Sequence, residues 1–282
     1  MKIARFALPG SDPGFGVIHG ELDQFGQLDD QATIAQIAGD PLYAGIQPTG
    51  EVYRFSEVKL LAPVIPRSKV VGIGKNYAAH AEEMKHLTGS ADPDAPLTFL
   101  KPNTSVIGPG DAIVIPEGLD EVDFEGELAV VIGRICKEVP AEQATDVIFG
   151  YTIANDVTSR AWQSADGQWS RAKGSDTFCP IGPWIETDLD PADFAAGRAV
   201  QTWLNGDLCQ DGSTADLIHD VPSLVAWVSR FMTLLPGDVI LTGTPAGVGA
   251  MHDGDEVEIS IRGLGALTNP VVANPVVAKV TK

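Results

Sequence analysis

The chain has 282 residues, of which 44% are hydrophobic, so it is long enough to bury one sizeable core and a smaller second one. Its 19 Lys and Arg residues against 38 Asp and Glu give a formal charge of −19, which argues against nucleic acid or an anionic membrane surface as a partner. No run approaches the roughly 18 apolar residues of a membrane span, and residues 1–10 have too short an apolar core for a signal peptide, so a cytoplasmic protein is expected. The three cysteines (Cys136, Cys179 and Cys209) form no C-x-x-C pair and are expected to be small core residues without disulfides.

Residues 1–65 predict a small N-terminal domain. Strand-like runs at 3–8 and 16–22 are followed by a predicted helix at 31–38. Pro63 and Pro66 then fix a stiff, extended segment, because each proline locks its own φ and restricts the residue before it. This segment predicts a domain boundary, with a larger second domain over 66–282. The N-terminal residues carry no group of side chains that suggests chemistry.

The second domain opens with a predicted strand at 69–74 and a helix at 76–87. On a helix, His80 and Glu83 are three residues apart, so the carboxylate can orient the imidazole and raise its basicity. The alternative is an exposed helix on which both side chains are merely solvated. The Gly-Ile-Gly at 72–74 lacks the third glycine of a dinucleotide fingerprint.

A buried strand is predicted at 122–133 by its β-branched, apolar second half and its closing glycine. The strand period of two places Glu125 and Glu127 on one side, in line with Ala129 and Val131. Two such carboxylates lie roughly 6–7 Å apart, and at an effective dielectric of about 20 they repel by about 2–3 kcal/mol. A positive group is therefore expected between them, unless the two glutamates lie on a solvated face.

Asp156 follows the next apolar run, at 147–154, and is available as a third carboxylate. With no Cys or His nearby in the sequence, these three residues make an all-oxygen set of ligands. Such a set suits a hard cation, with Mg²⁺ the first choice and Mn²⁺ or Ca²⁺ as alternatives, better than zinc.

The remaining segments are strand-rich. Strands are predicted at 97–101 and 112–115, a hairpin with an Asn-Gly turn at 200–210, and a core helix at 222–235. A polar stretch at 158–177 directly follows Asp156 and is predicted to be irregular and functional. The glycine-rich loop at 241–249 lacks the Gly-Lys-Ser/Thr ending of a P-loop. Its backbone amides and the Thr244 hydroxyl could approach an anionic ligand, and the alternative is an ordinary tight turn.

Several motifs together show a family resemblance. They are Gly-Lys-Asn-Tyr-Ala-Ala-His at 74–80 with Glu83, Asp-Phe-Glu-Gly-Glu-Leu at 123–128, Asn-Asp-Val-Thr-Ser-Arg at 155–160 with Gln163, Lys173-Gly174, Leu-Asn-Gly at 204–206, and Gly-Thr-Pro-Ala-Gly-Val-Gly at 243–249. Over nearly all of residues 66–272 the chain resembles the fumarylacetoacetate hydrolase superfamily, and residues 1–65 look like the variable domain of many bacterial members. One departure is Ala161, where the family often has an acidic residue.

The resemblance implies an α+β, strand-rich fold with a mixed, β-roll-like catalytic domain, usually as a homodimer. It implies Mg²⁺ or Mn²⁺ at Glu125, Glu127 and Asp156, and catalytic roles for His80, Glu83 and Lys173. Contacts to substrate are implied for four further residues, Arg160, Gln163, Gly174 and Thr244.

The implied activity is C–C bond hydrolysis or isomerisation of 2-oxo or enol dicarboxylates or acylpyruvates through a metal-stabilised enolate. An example is the 2-hydroxyhepta-2,4-diene-1,7-dioate isomerase reaction of aromatic catabolism. Oxaloacetate decarboxylation is an alternative, because it uses the same enolate. An alternative of another class is a non-catalytic protein that binds a small molecule and retains the fold.

Overall fold

The computed structural model describes residues 1–23, 26–84 and 95–273. Strands account for most of the regular structure in these ranges. The strands are β1 (Lys2–Ala7), β2 (Gly14–His19), β3 (Thr33–Ile37), β4 (Pro48–Arg54), β5 (Lys59–Leu61), β6 (Val70–Gly74), β7 (Leu97–Lys101), β8 (Val106–Ile107), β9 (Ile113–Ile115), β10 (Val122–Phe124), β11 (Gly126–Ile132), β12 (Ile148–Asn155), β13 (Cys179–Glu186), β14 (Ala199–Leu204), β15 (Asp207–Ser213), β16 (Val239–Leu241), β17 (Gly249–Met251), β18 (Glu256–Ile261) and β19 (Gly265–Ala273).

The α-helices of the described residues are short. They are α1 (Pro41–Ala44), α2 (Ala78–Glu83), α3 (Arg160–Asp166), α4 (Ser170–Gly174), α5 (Pro191–Ala195) and α6 (Val221–Phe231). Short 3₁₀ helices lie at Phe55–Glu57, Asn103–Ser105, Ala141–Asp146 and Thr214–Asp216. None of the described helices is long and apolar enough to cross a membrane.

One large mixed sheet runs through both predicted domains. Its path is β4-β3-β2-β1-β13-β12-β11-β16-β6-β7, with β5 paired to β1 and β8 paired to β13. The N-terminal strands join the rest through the antiparallel pairing of β1 and β13, in which Lys2 lies opposite Glu186. The segment at 63–66 connects β5 to β6, and the boundary at residue 65 stays a prediction.

A second, five-stranded sheet, in the order β15-β14-β18-β19-β9, packs on the large one. The main core fills the space between them and includes Leu128, Val130 and Ile259. A smaller core on the other side of β11 includes Ala129 and Val131. The alternation along β11 therefore follows the predicted period of two. The mixed sheets and few helices confirm the α+β, strand-rich fold class.

Two predictions of local secondary structure are wrong. The helix predicted at 31–38 is strand β3, which pairs with β2 and β4 on either side, because sheet pairing outweighs the weak helical pattern of this short run. The stretch at 158–177, predicted to be irregular, contains helices α3 and α4. Ser159 caps α3 by accepting a hydrogen bond from Trp162 N at 3.3 Å.

The other local expectations are confirmed in part. Asn205 and Gly206 both have positive φ in the β14–β15 hairpin turn, as that turn requires. The predicted helix at 222–235 is α6, which ends earlier, at Phe231. All three cysteines are free; Cys179 is buried, but Cys209 is exposed, so the expectation of three core cysteines is wrong. The helix predicted at 76–87 is seen as α2, and its last residues, 85–87, lie outside the described ranges.

Candidate metal centre and active site

A break between two strands sets the geometry of the site. β10 ends at Phe124 and β11 begins at Gly126, so Glu125 lies between them. Its backbone is held from β12: Glu125 N donates to Asn155 Oδ1 at 2.9 Å, and Asp156 N donates to Glu125 O at 2.9 Å. Glu127 lies opposite Ala154 in the β11–β12 pairing. The two strands thereby bring both glutamates to the end of β12, where Asp156 follows.

The structure brings Glu125, Glu127 and Asp156 together. One carboxylate oxygen from each lies within 4.8 Å of the others. The three residues are only 4%, 2% and 1% exposed, so the alternative of a solvated face does not hold. Their role as metal ligands stays a prediction.

Two buried lysines contact these carboxylates. Lys173 Nζ lies 2.9 Å from Glu125 Oε2, 2.6 Å from Asp156 Oδ2 and 2.8 Å from Thr158 Oγ1. Lys101 Nζ lies 2.5 Å from Asp156 Oδ1. The positive group expected near the glutamates is therefore present, although it reaches Glu125 and Asp156 rather than Glu127.

Arg160, at the start of α3, is a third cation in contact with the carboxylates of the site. Its Nη2 donates to Glu125 Oε1 at 2.6 Å and its Nε to Asp123 Oδ2 at 2.7 Å. Its Nη1 donates to Gln163 Oε1 at 3.0 Å. Arg160 thus orients two carboxylates and one amide at the rim of the cavity.

These contacts shift the pKa values of the buried carboxyls in opposite directions. Burial opposes ionisation of Glu125, but Lys173 and Arg160 outweigh it and hold the Glu125 pKa well below its usual range. The pKa of Glu127 is raised well above its usual range by burial and by the charges of Asp156 and Glu125. The pKa of Lys173 is raised, because its two carboxylate partners outweigh the desolvation that would lower it.

Of the three carboxylates, Glu127 is the one whose ionised form a bound cation would stabilise most. Among the described residues its carboxylate accepts one hydrogen bond, from Gly243 N at 2.7 Å, and no ion pair. At formal charges, five carboxylates (Glu83, Asp123, Glu125, Glu127 and Asp156) face four cations (Lys75, Lys101, Arg160 and Lys173) in and around the cavity, a net charge of minus one. An all-oxygen donor set with surplus negative charge fits Mg²⁺, Mn²⁺ or Ca²⁺.

His80 and Glu83 lie on α2 at the mouth of the same cavity. His80 Nδ1 is 3.1 Å from Glu83 Oε2, and Glu83 Oε1 accepts from Gly247 N at 3.2 Å. His80 is buried, and its positive form would lower the pKa of Glu125. The pair therefore faces the carboxylates, and the glycine-rich loop fixes its orientation.

Three of the four residues predicted to contact substrate line the cavity, and the fourth does not. Arg160, Gln163 and Thr244 line the cavity together with His80. Gly174 packs behind it, where a Cβ would come within 2.7 Å of Pro102 Cδ. The Thr244 hydroxyl donates to Gly126 O at 2.9 Å and accepts from Gln210 Nε2 at 2.7 Å, so its hydrogen is already committed within the protein.

Sequence reasoning missed three residues of the site. Lys101 ends an otherwise apolar strand, a weak signal for a buried cation. Gln210 satisfies all four hydrogen-bonding positions of its amide: Oε1 accepts from Gly126 N and Thr202 Oγ1, and Nε2 donates to Thr244 Oγ1 and Pro245 O. Nothing in the local sequence predicts this.

Trp169 is the third missed residue. It lines the cavity and packs edge-on against Phe99, with ring centroids 5.3 Å apart. Lys173 Nζ lies 4.9 Å from the Phe99 centroid and 5.6 Å from that of Trp169. The two rings thus give the lysine an aromatic wall.

Together the fold and the site define a strand-rich protein with a buried, all-oxygen site suited to a divalent cation. The family model for the fumarylacetoacetate (FAA) hydrolase C-terminal domain matches residues 69–272, and an Rv2993c-like N-terminal model matches residues 1–63. The chain therefore belongs to the fumarylacetoacetate hydrolase family.

The chain is similar to several proteins, which carry different names. It is 52% identical to Protein Rv2993c of Mycobacterium tuberculosis over 96% of this chain and 98% of that protein. It is 42% identical to a mitochondrial oxaloacetate tautomerase, fahd2, of Xenopus laevis over 77% of this chain and 69% of that protein.

Among solved structures, a 5-carboxymethyl-2-hydroxymuconate delta-isomerase from Mycobacterium smegmatis has a TM-score of 0.85 and 48% identity, covering 97% of this chain and 100% of that one. A fumarylpyruvate hydrolase from Pseudomonas aeruginosa, in complex with Mn²⁺ and pyruvate, has a TM-score of 0.67 and 32% identity, covering 77% and 92%. The family thus includes isomerases and hydrolases, and a divalent metal occurs in one of them.

Proposed function

We propose that this protein is a divalent-metal-dependent isomerase of 2-oxo dicarboxylates, which moves a proton at the carbon beside the 2-oxo group. The observation that carries the proposal is one cavity lined both by the Glu125, Glu127 and Asp156 carboxylates and by His80, which Glu83 contacts from α2. Mg²⁺ is the proposed cation, with Mn²⁺ as the alternative. Relatives named as isomerases and an oxaloacetate tautomerase support the choice of reaction.

The charge of the site supports an anionic substrate. The nine charged side chains in and around the cavity carry a net formal charge of minus one, so a bound dication would turn the site net positive. When bound, the cation would act as a Lewis acid on the negative charge that develops at a substrate carbonyl oxygen.

Lys173 contributes to the proposed reaction through its positive charge. Its three protons are already directed at Glu125, Asp156 and Thr158, and an ammonium has only three. Its charge therefore stabilises negative charge nearby and keeps two of the carboxylates ionised. Arg160 acts in the same way on Asp123 and Glu125 while it holds Gln163 in place.

His80 moves the proton. With Nδ1–H donating to Glu83, Nε2 carries the lone pair and can take a proton from the substrate carbon or return it. The Glu83 carboxylate stabilises the imidazolium that forms, and Gly247 N holds Glu83 in position.

C–C bond hydrolysis is the second candidate. The same base, His80 oriented by Glu83, could activate a water molecule instead of accepting a proton from carbon. The similarity to a fumarylpyruvate hydrolase supports this candidate. Oxaloacetate decarboxylation would need the same charge stabilisation but no base.

The test follows oxaloacetate and acetylpyruvate with metal-stripped protein, with and without added Mg²⁺, by ultraviolet absorbance and by NMR in D₂O. Isomerisation predicts Mg²⁺-dependent enol–keto interconversion and deuterium at the carbon beside the carbonyl, without loss of carbon. Pyruvate with acetate from acetylpyruvate would favour hydrolysis, and pyruvate from oxaloacetate would favour decarboxylation. Bound Mg²⁺ with no reaction of either compound would contradict the proposal for these short substrates and favour a longer unsaturated diacid. Absence of Mg²⁺ binding would favour the non-catalytic alternative.

The other proposed partner is a second copy of the chain, as the family resemblance implies. Sedimentation velocity at micromolar concentration tests it: a species of about 59 kDa, twice the chain mass of 29.7 kDa, is expected for the dimer.

A further inference from the structure

A second cavity lies where the N-terminal strands meet the rest of the large sheet. It has a volume of about 280 Å³ and is separate from the carboxylate site. Phe15 on β2, Leu42 on α1 and Phe149 on β12 give it apolar walls, and Val64 of the connecting segment closes one side. The cavity is thus built from both predicted domains and from the segment that joins them.

Arg5, one of three charged residues that line this cavity, is half-buried there. Arg5 sits on β1, between Phe15 of β2 and Leu61 of β5. The structure gives its guanidinium no hydrogen bond or ion pair within the described residues. Burial lowers the pKa of Arg5, while the charge of Asp40 acts in the opposite direction. A partly desolvated guanidinium without a partner is unfavourable unless an anion neutralises it.

The nearby acidic residue is already engaged. Asp40 Oδ1 accepts from Leu42 N at 3.0 Å, and Asp40 Oδ2 lies 3.9 Å from Arg67 Nη2. Arg67 itself lies at the rim, stacked over the Tyr43 ring at 4.1 Å. In a chain with a formal charge of −19, this cavity therefore has more positive than negative side chains in its lining.

We propose that the cavity binds a small monocarboxylate with an apolar body, its carboxylate on Arg5 and its body against Phe15, Leu42 and Phe149. A guanidinium provides paired N–H donors for a carboxylate, and the volume approaches that of common small-molecule sites. A ligand there would contact both predicted domains, so it would stabilise the folded chain by mass action.

The proposal is tested with 4-phenylbutanoate as the probe and 4-phenylbutan-1-ol as its neutral counterpart. Calorimetric titration and thermal unfolding are measured on the full chain, both with Mg²⁺ and after chelation. The variants are Arg5→Met, which removes the charge and keeps an apolar chain, and Arg5→Lys, which keeps the charge. Arg134→Met, at an exposed arginine outside the cavity, controls for the change in net charge.

The expected result is saturable binding of the carboxylate, independent of Mg²⁺, with a rise in melting temperature and much weaker binding of the alcohol. Arg5→Met should weaken binding at least about tenfold, whereas Arg134→Met should not change it. Arg5→Lys should retain part of the affinity, and a cooperative thermal unfolding transition of Arg5→Met without ligand shows that its loss of binding is not misfolding. Equal binding to all variants, binding only with Mg²⁺, or no binding to the unaltered chain would overturn the proposal.

Discussion

Lys101 Nζ lies 2.5 Å from Asp156 Oδ1, and both side chains are almost completely buried. The lysine thus contacts one oxygen of this proposed metal ligand, and Lys173 contacts the other. Without Lys101, Asp156 keeps Lys173 as a partner, but the buried cluster carries one more uncompensated negative charge, and breaking a buried pair costs about 3–5 kcal/mol. We expect Lys101→Met to lower the free energy of unfolding of the metal-free protein by about this amount. Added Mn²⁺ should restore more stability in this variant than in the unaltered chain, as urea unfolding would show.

A matched control is available at Lys69, which lies 2.6 Å from the buried Asp238 away from the cavity. Lys69→Met should also destabilise the protein, but Mn²⁺ should then stabilise it no more than it stabilises the unaltered chain. Equal Mn²⁺ effects in the two variants would show that Lys101 has no part in the metal site.

The raised pKa of Glu127 can be tested through the pH dependence of stability. Its folded-state pKa is raised above its ordinary value by burial and by Asp156 and Glu125. A raised carboxyl pKa contributes stability that is fully present below the unfolded pKa, about 4.5, and is lost as pH rises through the folded value. Glu127→Gln removes this loss, so metal-free Glu127→Gln should become increasingly more stable than the unaltered chain as pH rises above about 5. Urea unfolding with EDTA between pH 5 and pH 9 measures the difference.

Glu142→Gln, at an exposed glutamate, removes the same formal charge and should show no such growth with pH. The same Glu127→Gln change should weaken Mn²⁺ binding in calorimetry. A stability difference that shrinks with rising pH would mean that Glu127 is ionised at low cost in the folded protein.

The parts of the site that the sequence predicts are the local ones. The strand period of two predicts that Glu125 and Glu127 lie on one side, although the structure breaks the predicted strand at Glu125. Asp156 directly follows a strand that pairs with β11. His80 and Glu83 are one helical turn apart. Each of these relationships needs only a few neighbouring residues to be recognised.

The parts that it does not predict depend on long-range pairing. Lys101 is 55 residues from Asp156, and Gln210 is 84 residues from Gly126. The sequence around Lys101 or Gln210 contains no pattern that identifies the residue it contacts. The helix predicted at 31–38 is wrong for the same reason, since β3 is determined by its two neighbours in the sheet rather than by its own pattern.

Variants of Thr244 distinguish a structural role of its hydroxyl from contact with substrate. Its hydroxyl bridges Gly126 O and Gln210 Nε2 in a fully buried network. Thr244→Val would leave both groups without that partner, which costs about 1–3 kcal/mol. We expect this loss in urea unfolding, whereas Thr244→Ser, which keeps the hydroxyl, should remain close to the unaltered chain. If Thr244→Val lowers turnover without lowering stability, the hydroxyl acts on the substrate instead.

His80 and Glu83 should affect turnover and leave the metal in place. Loss of a general base typically costs about 10²–10⁴-fold in rate, so His80→Asn should lower kcat for enol–keto interconversion of oxaloacetate by that order. Glu83→Gln should lower it less, because the amide can still accept a hydrogen bond from His80 but cannot stabilise the imidazolium. Calorimetry should show Mn²⁺ affinity unchanged in both variants, since neither residue belongs to the carboxylate trio. His252→Asn, at a histidine whose side chain is 58% exposed, serves as the control. Full turnover by metal-loaded His80→Asn would remove His80 from the mechanism and leave the carboxylates and Lys173 as its active part.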